Sequence, residues 1–243
     1  MKADILVFGA HPDDIEVACG GTVLSAIAEG KTVAVVDLTR GELGTRGCGE
    51  TRLQEAAAAK KILGVHAREN LLMEDAFFRI NKVNIRKVIT IIRKYRPSVI
   101  LCNPTEDRHP DHAKAAKLIC EAAFLSGLCK IKTSHDNQLQ THWRPSYIFH
   151  YIQHLHIEPD FVIDISDFIE QKHKAILAYN TQFNCEAKCD EPRTYISEPS
   201  FMDAVKGKAA LMGQRIGVAY AEGFISTKTP GIKSFDAFIQ NPT

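Results

Sequence analysis

The chain has 243 residues, 45% of them hydrophobic and 24% charged, with a formal net charge of +1. That length can bury a sizeable core in one large domain. The near-neutral balance argues against a nucleic-acid binder that works by phosphate neutralisation, and no apolar run approaches the ~18 residues of a membrane span.

The N-terminus enters a strand pattern at once, with no signal-peptide apolar region ahead of it. Apolar runs at residues 4–10, 32–38 and 98–102 are short and rich in Val and Ile, as buried parallel strands are; residues 70–73 make a weaker fourth. Helical patterns lie between them, at 20–29 before Gly30, at 50–63 before Gly64, and at 81–95 before Pro97, the last with Val83, Val88, Ile91 and Ile92 at helical intervals. A further Ala/Leu-rich helix is expected over 111–128. The β-α-β-α order predicts an α/β fold, a Rossmann-like, doubly wound and mostly parallel sheet with right-handed crossovers. Residues 133–144 are polar and read as a loop. Strands are expected at 146–153 and 160–165, then a helix from Ser166 to about Tyr179, an irregular stretch over 180–200, and a helix over 199–216, so that the C-terminal part is elaborated.

Seven cysteines, odd in number and scattered, do not make a disulfide framework and point to a reduced, cytoplasmic protein. Cys185 and Cys189 frame a C-x3-C stretch with the look of a zinc half-site. No second Cys or His pair accompanies it, and free thiols on a loop are the simpler expectation.

Two tetrapeptides carry the chemistry. His11-Pro12-Asp13-Asp14 follows the first apolar run and His109-Pro110-Asp111-His112 follows the run at 98–102. Open α/β sheets build their sites outside the carboxyl ends of strands, where both clusters fall. Either cluster alone fits a helix cap; together they point to one metal site. A nucleotide fold without a metal is the rival, but the first turn lacks the glycines for close pyrophosphate approach, and its carboxylates repel phosphate. His11, Asp14 and His112 would supply two nitrogens and a carboxylate to Zn2+ (one per chain, other divalent ions being acceptable), leaving a position for water. Asp13 would be the general base. His109, protonated by pairing with Asp111, would stabilise an oxyanion or protonate a leaving amine.

The two motifs resemble those of the PIG-L-like zinc de-N-acetylases, which remove acetyl groups from N-acetylglucosamine-containing substrates. Three further stretches, 38–47, 51–56 and Tyr220-Ala221-Glu222-Gly223-Phe224, resemble the bacillithiol-biosynthesis branch, which hydrolyses N-acetylglucosaminyl malate. The resemblance implies a single de-N-acetylase domain over residues 1–243, a small N-acetylated sugar as substrate, and a homo-oligomer, trimer or hexamer, by analogy. It implies the same zinc ligands, base and acid as above, with Arg52 near substrate and base. Arg46 and Arg108 are further candidates for a cation facing a malate carboxylate, and Glu42 is a candidate for sugar hydroxyls. Some relatives carry a tyrosine two positions before the first His of the second motif; Asp107 stands there, and Tyr195 is the candidate replacement hydroxyl. A deacetylase of another sugar, such as a chitobiose-type oligosaccharide, and a non-catalytic carbohydrate-binding protein are the alternatives.

Overall fold

A computed structural model describes residues 1–183, 192–232, 234 and 235. The candidate thiols Cys185 and Cys189 lie outside the described residues. Strand β1 (Ile5–Gly9) leads into α1 (Asp14–Ala28), then β2 (Val33–Thr39), α2 (Gly49–Leu63), β3 (Ala67–Met73), α3 (Lys82–Tyr95), β4 (Val99–Cys102) and α4 (Pro110–Ser126). A two-residue-stranded hairpin, β5 (Ser134–His135) and β6 (Gln138–Leu139), precedes β7 (Tyr147–Tyr151) and β8 (Phe161–Asp164). The chain continues through α5 (Ile169–Leu177), α6 (Asn180–Phe183), α7 (Pro199–Gln214) and β9 (Ala221–Ser226).

The main sheet runs β3-β2-β1-β4-β7-β9-β8. Its first five strands are parallel, and β9 lies antiparallel between β7 and β8. The mostly parallel sheet expected from the β-α alternation is therefore present. Side chains alternate across it: Leu6 and Phe8 of β1 join Val36, Ile89, Ile92 and Leu118 on the α3/α4 face. Val7 joins Ile15, Val23, Val35 and Tyr151 on the opposite face, which α1 and α5 cover. Burial of both faces explains why these strands read as unbroken apolar runs.

Several expectations need correction. Helix α1 starts at Asp14 rather than near Gly20, and it bends at Cys19, whose φ of −139° is not helical; its Gly20-Gly21 pair hid the earlier start. Val83 is 65% exposed and lies off the apolar stripe of α3, whose buried positions begin at Val88. The stretch at 133–144 contains the β5/β6 hairpin, closed by Asp136 and Asn137, both with left-handed φ, a turn these two residue types tolerate. The stretch expected to be irregular over 180–200 opens with the short helix α6, and strand β9 forms after 216, where no element was expected. No helix among the described residues is long and apolar enough to cross a membrane.

Candidate metal and catalytic site

A cleft of about 300 Å³ opens at the carboxyl ends of the parallel strands and is lined by His11, Asp13, Asp14, Arg52, His109 and His112, among others. Four strand ends build it. The turn after β1 carries His11, Asp13 and Asp14; the ends of β3, β4 and β7 carry Asp75, then Asn103 and Asp107, then Gln153 and His154.

Asp14 lies between two imidazoles. Its Oδ2 is 3.7 Å from His11 Nδ1 and its Oδ1 is 3.1 Å from His112 Nε2. The opposite nitrogen of each ring is held by carboxylates: His112 Nδ1 by Asp107 Oδ2 at 2.6 Å, and His11 Nε2 by Asp75 at 3.1 Å and Asp111 at 3.4 Å. Carboxylates behind imidazoles fix which nitrogen faces forward and raise its basicity, the arrangement expected around a metal site. One nitrogen from each of His11, His109 and His112 also lies within 4.8 Å of the others. A second cluster, His11 with Asp75 and Asp111, meets the same distance criterion. Lys114 already supplies a positive charge to the Asp111 carboxylate at 2.7 Å, whereas the partners of Asp14 are imidazoles, amides and a backbone N–H, which leaves the Asp14 side the better fit for a cation. Two imidazole nitrogens and one carboxylate suit Zn2+ and neighbouring divalent ions.

Burial and partners set the charges. The His11 and His112 imidazoles and their hydrogen bonds hold Asp14 well below the ordinary carboxylate range, against the opposing effect of its burial. His112, despite burial, is pushed up to about 9 by Asp14 and Asp107. Asp13 is raised to about 7, mainly by burial, with Arg52 acting in the other direction. Arg52 donates to Asp13 Oδ2 at 2.7 Å and also to the Pro12 carbonyl. Gly41, at φ +65°, lies against this guanidinium; a Cβ there would collide with it. Asp13 itself has φ 112°, a left-handed conformation that a non-glycine residue rarely adopts and that clusters at functional sites.

His109 departs from expectation. It caps α4 with Nδ1 accepting from the Asp111 N–H at 3.2 Å. Burial, with His11 and His112 nearby, lowers it to about 4. The ring is therefore neutral, with Nε2–H as its donor, and the imidazolium expected from pairing with Asp111 is corrected. The Asp111 carboxylate turns away, to Ala76 N–H, Lys114 and His11.

Of the remaining candidates, Arg108 and Tyr195 line the cleft and stack, guanidinium over ring at 5.0 Å. Arg46 is buried outside the cleft lining, its carbonyl accepting from Gln182. Glu42 accepts from the Arg40 and Asp75 N–H groups, tying the 40–44 loop to the end of β3 rather than facing the cleft. Asp75, Asn103, Gln153 and His154 were not singled out in the sequence, and Asp107 was noted only for lacking a hydroxyl. All five lie just past strand ends, the signal that would have found them.

The model of the GlcNAc-PI de-N-acetylase family, PIG-L, matches residues 6–123, the span that holds both motifs. A diacetylchitobiose deacetylase of Thermococcus kodakarensis is 31% identical over 192 residues, covering 74% of this chain and 70% of that protein. The chain belongs to the PIG-L de-N-acetylase family. Among solved structures, the conserved protein TT1542 of Thermus thermophilus superposes with TM-score 0.83 at 35% identity, covering 95% of this chain and 98% of that one. The N,N'-diacetylchitobiose deacetylase of Pyrococcus horikoshii superposes with TM-score 0.78 at 27% identity, covering 98% and 89%.

Proposed function

We propose that this PIG-L family member is a divalent-cation-dependent hydrolase that removes the acetyl group from an N-acetylglucosamine conjugate, N-acetylglucosaminyl malate in bacillithiol biosynthesis. The observation carrying the coarse reading is the convergence of His11 and His112 on Asp14, with Asp13 beside them and outside that set. His11, Asp14 and His112 would hold the cation, Zn2+ first among candidates. When bound, such an ion supplies Lewis acidity, lowering the pKa of water and polarising a carbonyl.

The chain's own groups account for the proton traffic. Asp13, raised to about 7 and oriented by Arg52, takes a proton from the attacking water near neutral pH. The neutral His109 donates Nε2–H to the oxyanion that develops on the acetyl oxygen. Asp13 returns its proton to the sugar nitrogen as the C–N bond breaks, giving acetate and a free amine. Arg108, at the cleft wall, is the group best placed for a malate carboxylate, and Tyr195 shares that wall. The same reading places the protein in the cytoplasm, in line with free thiols at Cys19, Cys48, Cys102, Cys120 and Cys129.

A chitobiose-type substrate is the second reading, favoured by the similarity to the two diacetylchitobiose deacetylases. Mass spectrometry of N-acetylglucosaminyl malate, N-acetylglucosamine and diacetylchitobiose incubated with the protein, with and without chelator, separates them. We expect loss of acetyl from the malate conjugate foremost, abolished by chelator; equal or faster turnover of diacetylchitobiose would overturn the malate assignment.

A further inference from the structure

Buried carboxylates in and beneath this site generally meet a lysine or arginine: Asp13 meets Arg52, Asp111 meets Lys114, Asp37 and Glu16 meet Arg68, and Glu222 meets Lys172. Asp14, like Asp75 and Asp107, meets imidazoles instead, and it alone of these three is also held by side-chain amides among the described residues. Its Oδ1 accepts from Gln153 Nε2 at 2.8 Å, and its Oδ2 accepts from Asn103 Nδ2 at 3.0 Å and from the His11 N–H at 3.0 Å. Amide donors satisfy lone pairs without cancelling formal charge, whereas an ammonium or guanidinium would do both.

The two amides pay a local cost for this. Asn103 Oδ1 and Gln153 Oε1 are both buried without a hydrogen-bond partner, and an orphaned acceptor costs about 1–3 kcal/mol. Rotating either amide would set its oxygen against the Asp14 carboxylate, so Asp14 dictates both orientations. Asn103 is fully buried just past β4, and Gln153, 8% exposed, reaches the cleft from just past β7. Two residues from separate strands, each leaving one polar atom unsatisfied to meet the same carboxylate, serve that carboxylate more than the core.

We infer that Asn103 and Gln153 are positioning residues, a neutral amide clamp that holds Asp14 in one orientation with no lysine or arginine competing for its charge and thereby sets the affinity of the site for a divalent cation. The inference rests on the reading of Asp14 as a cation ligand. Loss of a group that orients a ligand in this way typically costs about 10- to 100-fold in metal affinity.

The test is titration of Zn2+ into the chelator-treated full chain, in competition with a chromophoric chelator, beside thermal unfolding of the metal-free protein. Gln153→Met keeps the length of the side chain and removes both polar ends. Its Zn2+ affinity is expected to fall about 10- to 100-fold, while the metal-free melting temperature changes little, because the lost donor to Asp14 and the removed orphaned oxygen oppose each other. The visible spectrum of the Co2+-loaded variant should also differ from that of the unaltered chain, reporting a displaced carboxylate. Asn103→Ala should weaken Zn2+ in the same way, measured well below its own melting temperature. Unchanged affinity and an unchanged Co2+ spectrum in Gln153→Met would overturn the inference, as would a lowered melting temperature with affinity intact. If the unaltered chain binds neither ion, the reading of Asp14 as ligand fails first and the clamp with it; if it binds and Gln153→Met binds equally, only the clamp fails.

Discussion

Asp13 combines a left-handed backbone with a buried carboxylate beside Asp14, and Arg52, with a smaller effect from His11, eases the second of these. Conformations of this kind cost about 1–3 kcal/mol and persist where the surroundings impose them. The geometry leaves a carboxylate that titrates near 7 and does not share Asp14's contacts with His112. Asp13→Asn should therefore keep its cation, measured by metal analysis after gel filtration, and lose about 10²- to 10⁴-fold in kcat. A raised carboxyl pKa means that the basic form appears as pH rises, so kcat/KM should climb through an acid limb at or below about 7; a bound cation favours the charged form and moves that limb down. Arg52 lowers the Asp13 pKa, so Arg52→Gln should displace the limb to higher pH. A limb that stays in place would detach Arg52 from the base. Replacing His109 by Ala removes a neutral donor and should lower kcat about 10²- to 10³-fold without altering cation content.

Helix α1 shows how a strand far along the chain supports the site. After the bend at Cys19, the N–H groups of Gly21 and Thr22 begin a second helical stretch, and both donate to the Glu222 carboxylate on β9, at 3.0 and 2.7 Å. Lys172 of α5 completes the arrangement at 2.6 Å. A carboxylate at a helical N-terminus is favoured by the exposed N–H groups and the helix dipole. Glu222→Ala would leave Lys172 buried and unpaired, a change that costs about 3–5 kcal/mol. Urea denaturation should show that loss as a lower midpoint, whereas Asp13→Asn should move the midpoint far less. This contact gives a physical reason for the Tyr220–Phe224 stretch that the sequence could only match to a family pattern. The parallel strands and the two His/Asp motifs were legible because each is local: an apolar run, then a polar turn at its carboxyl end. The strand identity of β9 was not, since Gly223 weakens its pattern and its partners Phe149 and Phe161 lie more than sixty residues upstream. The supporting carboxylates and amides, Asp75, Asp107, Asn103 and Gln153, acquire meaning only when the strand ends are brought together. His109 was misjudged for the same reason. The sequence places Asp111 two residues away, but the helix turns its carboxylate elsewhere and offers the ring a backbone N–H.

Across the whole molecule, the proposed cation site would couple proton uptake, cation binding and stability. In the metal-free chain His112 is raised to about 9 and Asp13 to about 7. For a group whose folded pKa exceeds its unfolded value, the stabilisation is complete below the unfolded pKa and disappears as pH rises through the folded one. The His112 contribution is therefore present at pH 6 and lost by about pH 9, and that of Asp13 is lost as pH rises through about 7. His109, lowered to about 4, changes stability only as pH falls below the ordinary histidine value, outside that window. The depressed carboxyls of Asp75 and Asp107 act in the opposite sense from His112, contributing above the ordinary carboxylate range and losing that contribution only in acid. A cation held by His11 and His112, as proposed, would require both to be deprotonated, so its binding would release protons and strengthen over the same interval in which the metal-free protein weakens. Melting temperatures of chelator-treated protein should accordingly fall between pH 6.5 and 9, within the range set by the His112 value of about 9, and the gap between Zn2+-loaded and chelator-treated samples should widen. His112→Gln removes one of the two raised imidazoles, His11 being the other, and should weaken both trends. If the gap between loaded and chelated protein stayed constant from about pH 6.5 to 9, the imidazoles would not be exchanging protons for the cation, and the ligand set would have to be sought among the carboxylates alone.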